Sequence, residues 1–131
     1  TASAIIDMTL HLSAEGEGGL DVPAFEAEAL RRISMPAEIS MRHRTPHFAH
    51  IFSGDGYAAG YYSYLWSEVL DADAFDAFRE AGDIFDPATA KRLRTFVYGA
   101  GNLRDPREAY TAFRGRMPSI EPLLKKRGLA A

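Results

Sequence analysis

The chain has 131 residues, 47% apolar and 25% charged, with a net charge of −3 and a pI near 5.8. That suits one folded domain or part of one, and excludes a disordered polymer and a broad basic face for nucleic acid or a membrane surface. With no cysteine, a disulfide framework and a thiolate metal site are excluded too, and a reducing cytoplasm is the expected setting.

Residues Ala2 to Ser13 read as a short helix. Ile5, Ile6, Met8, Leu10 and Leu12 make it apolar on several sides, so it asks for burial on more than one face. The chain opens on Thr1, already inside this helix and without the basic stretch of a signal peptide, and we read it as a segment of a longer protein. Bared Ile5, Ile6 and Leu10 are then expected to favour self-association. Ala14 to Gly19 is a loop by composition. Asp21 is an N-cap and Pro23 sits in a first turn, followed by Phe25, Ala29, Leu30 and Ile33 at helical spacing, with Pro36 as the stop. Met35 to Pro46 reads as an extended connector. Gly54-Asp55-Gly56 is a flexible turn, and a long helix is predicted from Tyr57 to Ala81, stopped by Gly82. Asp86-Pro87 starts another, with Leu93, Phe96 and Val97 on its apolar face and Gly99 and Gly101 at its end. Asp105-Pro106-Arg107-Glu108 starts a third, turning Ala109, Tyr110 and Phe113 inward. Ile120, Leu123 and Leu124 form a last short helix before Gly128. No segment alternates as a strand and no heptad persists. The expected fold class is all-α, with orthogonal or layered helices rather than a coiled coil.

On a helix, Tyr57, Tyr61 and Tyr64 share one arc with Glu68, while Tyr62, Leu65, Trp66 and Val69 form an opposite, core-facing arc. The row of three phenols is then spare. Phenol hydroxyls can donate to a peptide carbonyl or a developing oxyanion, and the rings can line a peptide groove. The same i, i+4, i+7 spacing also suits ordinary half-buried packing residues. Gly54 and Gly56, just before the row, permit positive φ and the movement of a closing loop.

His43, His47 and His50 lie within eight residues. His43 and His47 have the spacing of a helical metal pair, yet Thr45-Pro46 between them disfavours a helix and no Glu-x-x-His follows His43. No metal site is assigned. His50, leading into the glycine turn, is either a donor to substrate or a packed histidine, as His11 is on the first helix.

The run from His50 through Ser53-Gly-Asp-Gly56, Tyr57-Ala-Ala-Gly-Tyr61-Tyr62-Ser-Tyr64-Leu-Trp66 to Asp73 resembles the last conserved block of the thimet oligopeptidase, oligopeptidase A and peptidyl-dipeptidase family. Phe113-Arg-Gly-Arg-Met-Pro118 and Leu123 to Leu129 resemble that family's closing segment. Arg44-Thr-Pro-His-Phe-Ala-His50 is most similar to the bacterial peptidyl-dipeptidase branch. The resemblance implies a large, almost wholly helical zinc peptidase with a deep channel for short peptides. Residues 1–131 would be its C-terminal, substrate-binding part, lacking the upstream H-E-x-x-H zinc motif. It further implies that Tyr57 and Tyr64 are catalytic, stabilising the oxyanion, and that His50, Gly54, Gly56 and Tyr61 bind substrate. Zinc would belong to the intact enzyme and none to this segment, which alone is expected to be inactive. Its partners would be short peptides and the remainder of the parent chain. The loop Ser53 to Gly56 is one residue longer than the H-x-x-G-G-G-Y form of many members. A freestanding, non-catalytic helical peptide-binding module is the alternative.

Overall fold

Asp21, Asp86 and Asp105 each do what their place before a proline suggests. Their side chains accept from the backbone N–H of Ala24 (3.1 Å), Thr89 (2.7 Å) and Arg107 (2.8 Å). Each so starts a helix by satisfying a donor that the first turn leaves unpaired. The computed structural model describes residues 1–13 and 19–130, and in them the all-helical expectation holds, with no strand. The helices are α1 (Ala2–Leu12), α2 (Val22–Arg32), α3 (Tyr62–Glu80), α4 (Pro87–Leu93), α5 (Pro106–Arg114) and α6 (Glu121–Lys126). Most of the expected loop at Ala14 to Gly19 lies outside the described residues. Among the described residues, no helix is long and apolar enough to cross a membrane.

The chain divides into two compact units, Thr1–Leu65 and Trp66–Ala131. In the first, α1 packs on α2 through Ile6, Ala29 and Met41, with Phe25 and Leu30 against them. Ile6 is fully buried, which corrects the expectation that it is bared. Ile5 and Leu10 are half-covered and Leu12 is exposed. The connector after α2 has no regular element as far as Arg44, but it turns and bends instead of running extended, and Thr45 and Pro46 belong to a 3₁₀ turn, Thr45–His47; a second such turn, Ala49–Phe52, follows it. Buried Phe48 and Ile51 anchor this stretch.

In the second unit, Ala77, Tyr110 and Phe113 form the core, with Leu70, Ala74, Leu93, Phe96 and Val97 packed against them. The helix after α4 widens into a π turn, Arg94–Tyr98, and closes on Gly99. A Cβ at Gly99 would stand 2.9 Å from the Arg94 carbonyl oxygen, so only glycine fits there. Gly82 and Gly128 stop their helices at φ +80° and +68°, in the left-handed region that glycine enters freely.

Two expectations for α3 need correction. It begins at Tyr62, not Tyr57. Its buried stripe is Ala72, Asp73 and Ala77, while Tyr62 and Trp66, expected in the core, are exposed by 52% and 55%. Asp73 and Ala77 continue the stripe of Tyr62, Trp66 and Val69, so the expected face is the buried one along the second half of α3 and only its first turns are uncovered.

The caps are testable singly. Asp86→Ala removes the acceptor for Thr89, which is buried, and is expected to destabilise the chain by about 1 kcal/mol in urea unfolding.

Candidate active-site face

His50 sits in the 3₁₀ turn Ala49–Phe52, held in place by its buried neighbours Phe48 and Ile51. Three tyrosine rings surround its imidazole. Tyr57 and Tyr61 stand edge-on with centroids 5.1 and 5.4 Å away, and Tyr64 is tilted at 5.6 Å. Tyr64 also makes the one polar contact of the group: its hydroxyl lies 3.1 Å from His50 Nε2. Tyr61 and Tyr64 touch at 5.0 Å, and Tyr61 packs edge-on against Phe48 at 4.8 Å. The expected residues are therefore together, although not as one helical row. Only Tyr64 is on α3; Tyr57 and Tyr61 are carried by the turn before it.

That turn has its own logic. The Tyr57 N–H donates to the Gly54 carbonyl (2.9 Å) and the Gly60 N–H to the Tyr57 carbonyl (3.0 Å). Ala59 is left-handed at φ +57°, which no helix tolerates. The N–H groups of Ala59 and Tyr61 turn away from the chain's own carbonyls to the carboxylate of Asp7 on α1, at 3.0 and 2.8 Å. Gly54 takes φ +154°, where glycine is favoured, while Gly56 makes no use of that freedom. Both have open space where a side chain would be.

Two buried carboxylates of the first unit have no counterpart in the sequence analysis. Asp7 is fully buried, and His11 Nδ1 lies 2.8 Å from its Oδ1. Glu26 on α2 is also buried; it accepts from the Thr45 backbone N–H and pairs with Arg44. Burial alone would raise the Glu26 carboxyl, but the Thr45 and Arg44 hydrogen bonds outweigh it and hold the pKa below its ordinary 4.5. For Asp7 the available signal was its place inside an apolar helix, since a buried acid must find partners elsewhere; the more polar α2 gives none for Glu26.

A pocket of about 370 Å³ opens beside the group, lined by His43, His47, Phe48, His50, Tyr61 and Tyr64. Tyr57 borders His50 but does not line this pocket. His43 stacks on Phe48 at 5.3 Å. Among the described residues, no three His, Cys, Asp or Glu side chains converge as a metal site.

Comparison with known proteins gives this geometry a family. The sequence matches the model of peptidase family M3 over residues 1–129. It is 41% identical over 130 residues to dipeptidyl carboxypeptidase of Escherichia coli (strain K12), covering 98% of this chain and 19% of that protein. To oligopeptidase A of Haemophilus influenzae it is 51% identical over 87 residues, 66% of this chain and 12% of that one. To oligopeptidase A of Escherichia coli it is 37% identical over 126 residues, 95% of this chain and 18% of that one. The chain thus spans at most about a fifth of the length of these relatives. A match that runs along nearly the whole sequence, tyrosine turn and histidine included, makes this chain a member of peptidase family M3.

Proposed function

We propose that this chain is the substrate-facing part of a zinc peptidase of the oligopeptidase and peptidyl-dipeptidase kind, hydrolysing short peptides. The observation that carries the reading is the Tyr64 hydroxyl 3.1 Å from His50 Nε2, with Tyr57 and Tyr61 packed on the same imidazole. Tyr64 and Tyr57 donate to the scissile carbonyl oxygen as it becomes an oxyanion. His50 and Tyr61 hold the peptide beside them, and the loop at Gly54 and Gly56 closes over it. The cysteine-free composition is compatible with the cytoplasm, where we set this activity.

The tautomer of His50 matters here. With the proton on Nε2, His50 donates to the Tyr64 oxygen and leaves the phenol hydrogen free for substrate. With the proton on Nδ1, Tyr64 donates to Nε2 and its hydrogen is committed. The proposal requires the first state.

The described residues do not fit a zinc site, since no three metal-binding side chains converge in them. We assign the metal to other residues of the peptidase, and no step above runs through it. An assay on an internally quenched peptide with added zinc tests the division of labour. The intact peptidase should cleave, and the 131 residues alone should not. Zinc-dependent cleavage by the chain alone would overturn the reading and return attention to His43, His47 and His50.

A further inference from the structure

Asp7 stands in the middle of apolar helix α1, fully buried, with its carboxylate aimed at the tyrosine turn. Oδ1 accepts from the Ala59 N–H at 3.0 Å and Oδ2 from the Tyr61 N–H at 2.8 Å, across 52 and 54 residues of sequence. His11 Nδ1 lies 2.8 Å from Oδ1, 2.9 Å from the Asp7 carbonyl oxygen and 3.3 Å from the Ala59 nitrogen. Only a carboxylate offers each N–H its own acceptor oxygen with no donor beside it, and from this backbone position the length of an aspartate sets one oxygen under each. What these bonds hold is not a relaxed turn. Ala59 sits at φ +57°, a conformation an alanine leaves unless its surroundings fix it. Tyr57 lies two residues before it, and Tyr61 is itself one of the two anchored residues.

We propose that Asp7 is a positioning residue, fixing the left-handed turn so that the tyrosine hydroxyls meet His50 and substrate at the working register. It touches no substrate; it acts through the backbone of Ala59 and Tyr61. The inference rests on the reading of Tyr57 and Tyr64 as substrate-facing donors.

The test uses the intact peptidase. Asp7→Asn keeps the size but turns one acceptor into a donor facing an N–H. It should lower kcat by about tenfold or more, with KM within about threefold, because misplacement by about an ångström removes transition-state contacts before ground-state binding. Adding Ala59→Gly should restore at least about threefold, since glycine takes positive φ without support. A merely structural aspartate would give no such rescue in kcat. A folded Asp7→Asn enzyme with kcat at the parent level, or with a loss that Ala59→Gly leaves untouched, overturns the proposal. Asp7→Glu keeps charge and both acceptors but sets them a methylene further out. It serves if the Asn variant does not fold, and parent-level kcat there overturns the proposal equally. Tyr64→Phe measured alongside separates the two readings. Parent-level kcat in Tyr64→Phe sinks the donor reading, whereas an impaired Tyr64→Phe beside an unimpaired Asp7→Asn sinks only the positioning role.

Discussion

Tyr64→Phe in the intact peptidase is expected to lower kcat by about 10²–10³, equivalent to about 3–4 kcal/mol, with KM nearly unchanged. The substitution removes one oxygen and leaves the ring, so the contacts with Tyr61 at 5.0 Å and His50 at 5.6 Å survive. What goes is the hydroxyl 3.1 Å from His50 Nε2. A donor used only when charge develops on the carbonyl oxygen lowers the barrier without tightening ground-state binding. Steady-state kinetics on one quenched peptide decide it. A rise in KM at constant kcat would reduce Tyr64 to a substrate-binding side chain.

The second large effect concerns stability. Asp73 is fully buried on α3 and accepts from the Tyr110 hydroxyl at 2.6 Å and from Arg114 Nε at 3.2 Å. Arg116 Nη2 stands 2.7 Å from its other oxygen, as a charge contact rather than an aligned hydrogen bond. Arg114 in turn grips Glu80 with two bonds of 2.6 Å. Asp73→Ala would leave the buried Tyr110 hydroxyl with only its 3.3 Å bond to the Leu70 carbonyl, and a guanidinium whose side chain is 6% exposed with Glu80 alone. A loss of about 3 kcal/mol is expected in urea unfolding, the lower end for a broken buried pair because Glu80 remains.

The same site predicts a pH dependence. Burial alone would raise the Asp73 carboxyl, but the Tyr110 hydrogen bond and the Arg116 and Arg114 charges outweigh it and hold the pKa below its ordinary 3.8. A carboxylate depressed in the folded state stabilises fully above its unfolded pKa, and that contribution is lost as pH falls through the folded one. The chain should therefore lose stability below about pH 4 through this group, and Asp73→Ala should lose less of it on acidification. Glu80, depressed by its hydrogen bond from Arg114, adds to the same slope.

The parts of the fold legible in the sequence are those decided within a few residues. An aspartate before a proline caps the helix that follows, and a glycine after the last apolar residue stops it. The start of α3 was not legible, because the left-handed Ala59, held by a carboxylate more than 50 residues away, breaks the helix before it can reach back to Tyr57. The candidate site shows the same division. Tyr57, Tyr61, Tyr64 and His50 were picked out by their string, and they do gather. Tyr57 and Tyr61 reach His50 through a left-handed turn, not along the helical arc that the spacing predicts. Asp7 and Glu26 drew no notice, because a lone acid has no local pattern and its partners are set by tertiary structure.

Tyr57 and Tyr64 stand about half exposed, at 50% and 56%. A phenol open to bulk water already has a hydrogen-bond partner, and exchanging water for substrate gains it little. The same hydroxyl shielded from solvent works at a lower effective dielectric, where charge stabilisation is several times stronger. Aim and strength are therefore separate contributions. In the proposed mechanism residues 50–64, braced by Asp7, supply the aim, and the strength arrives only when the face is dry.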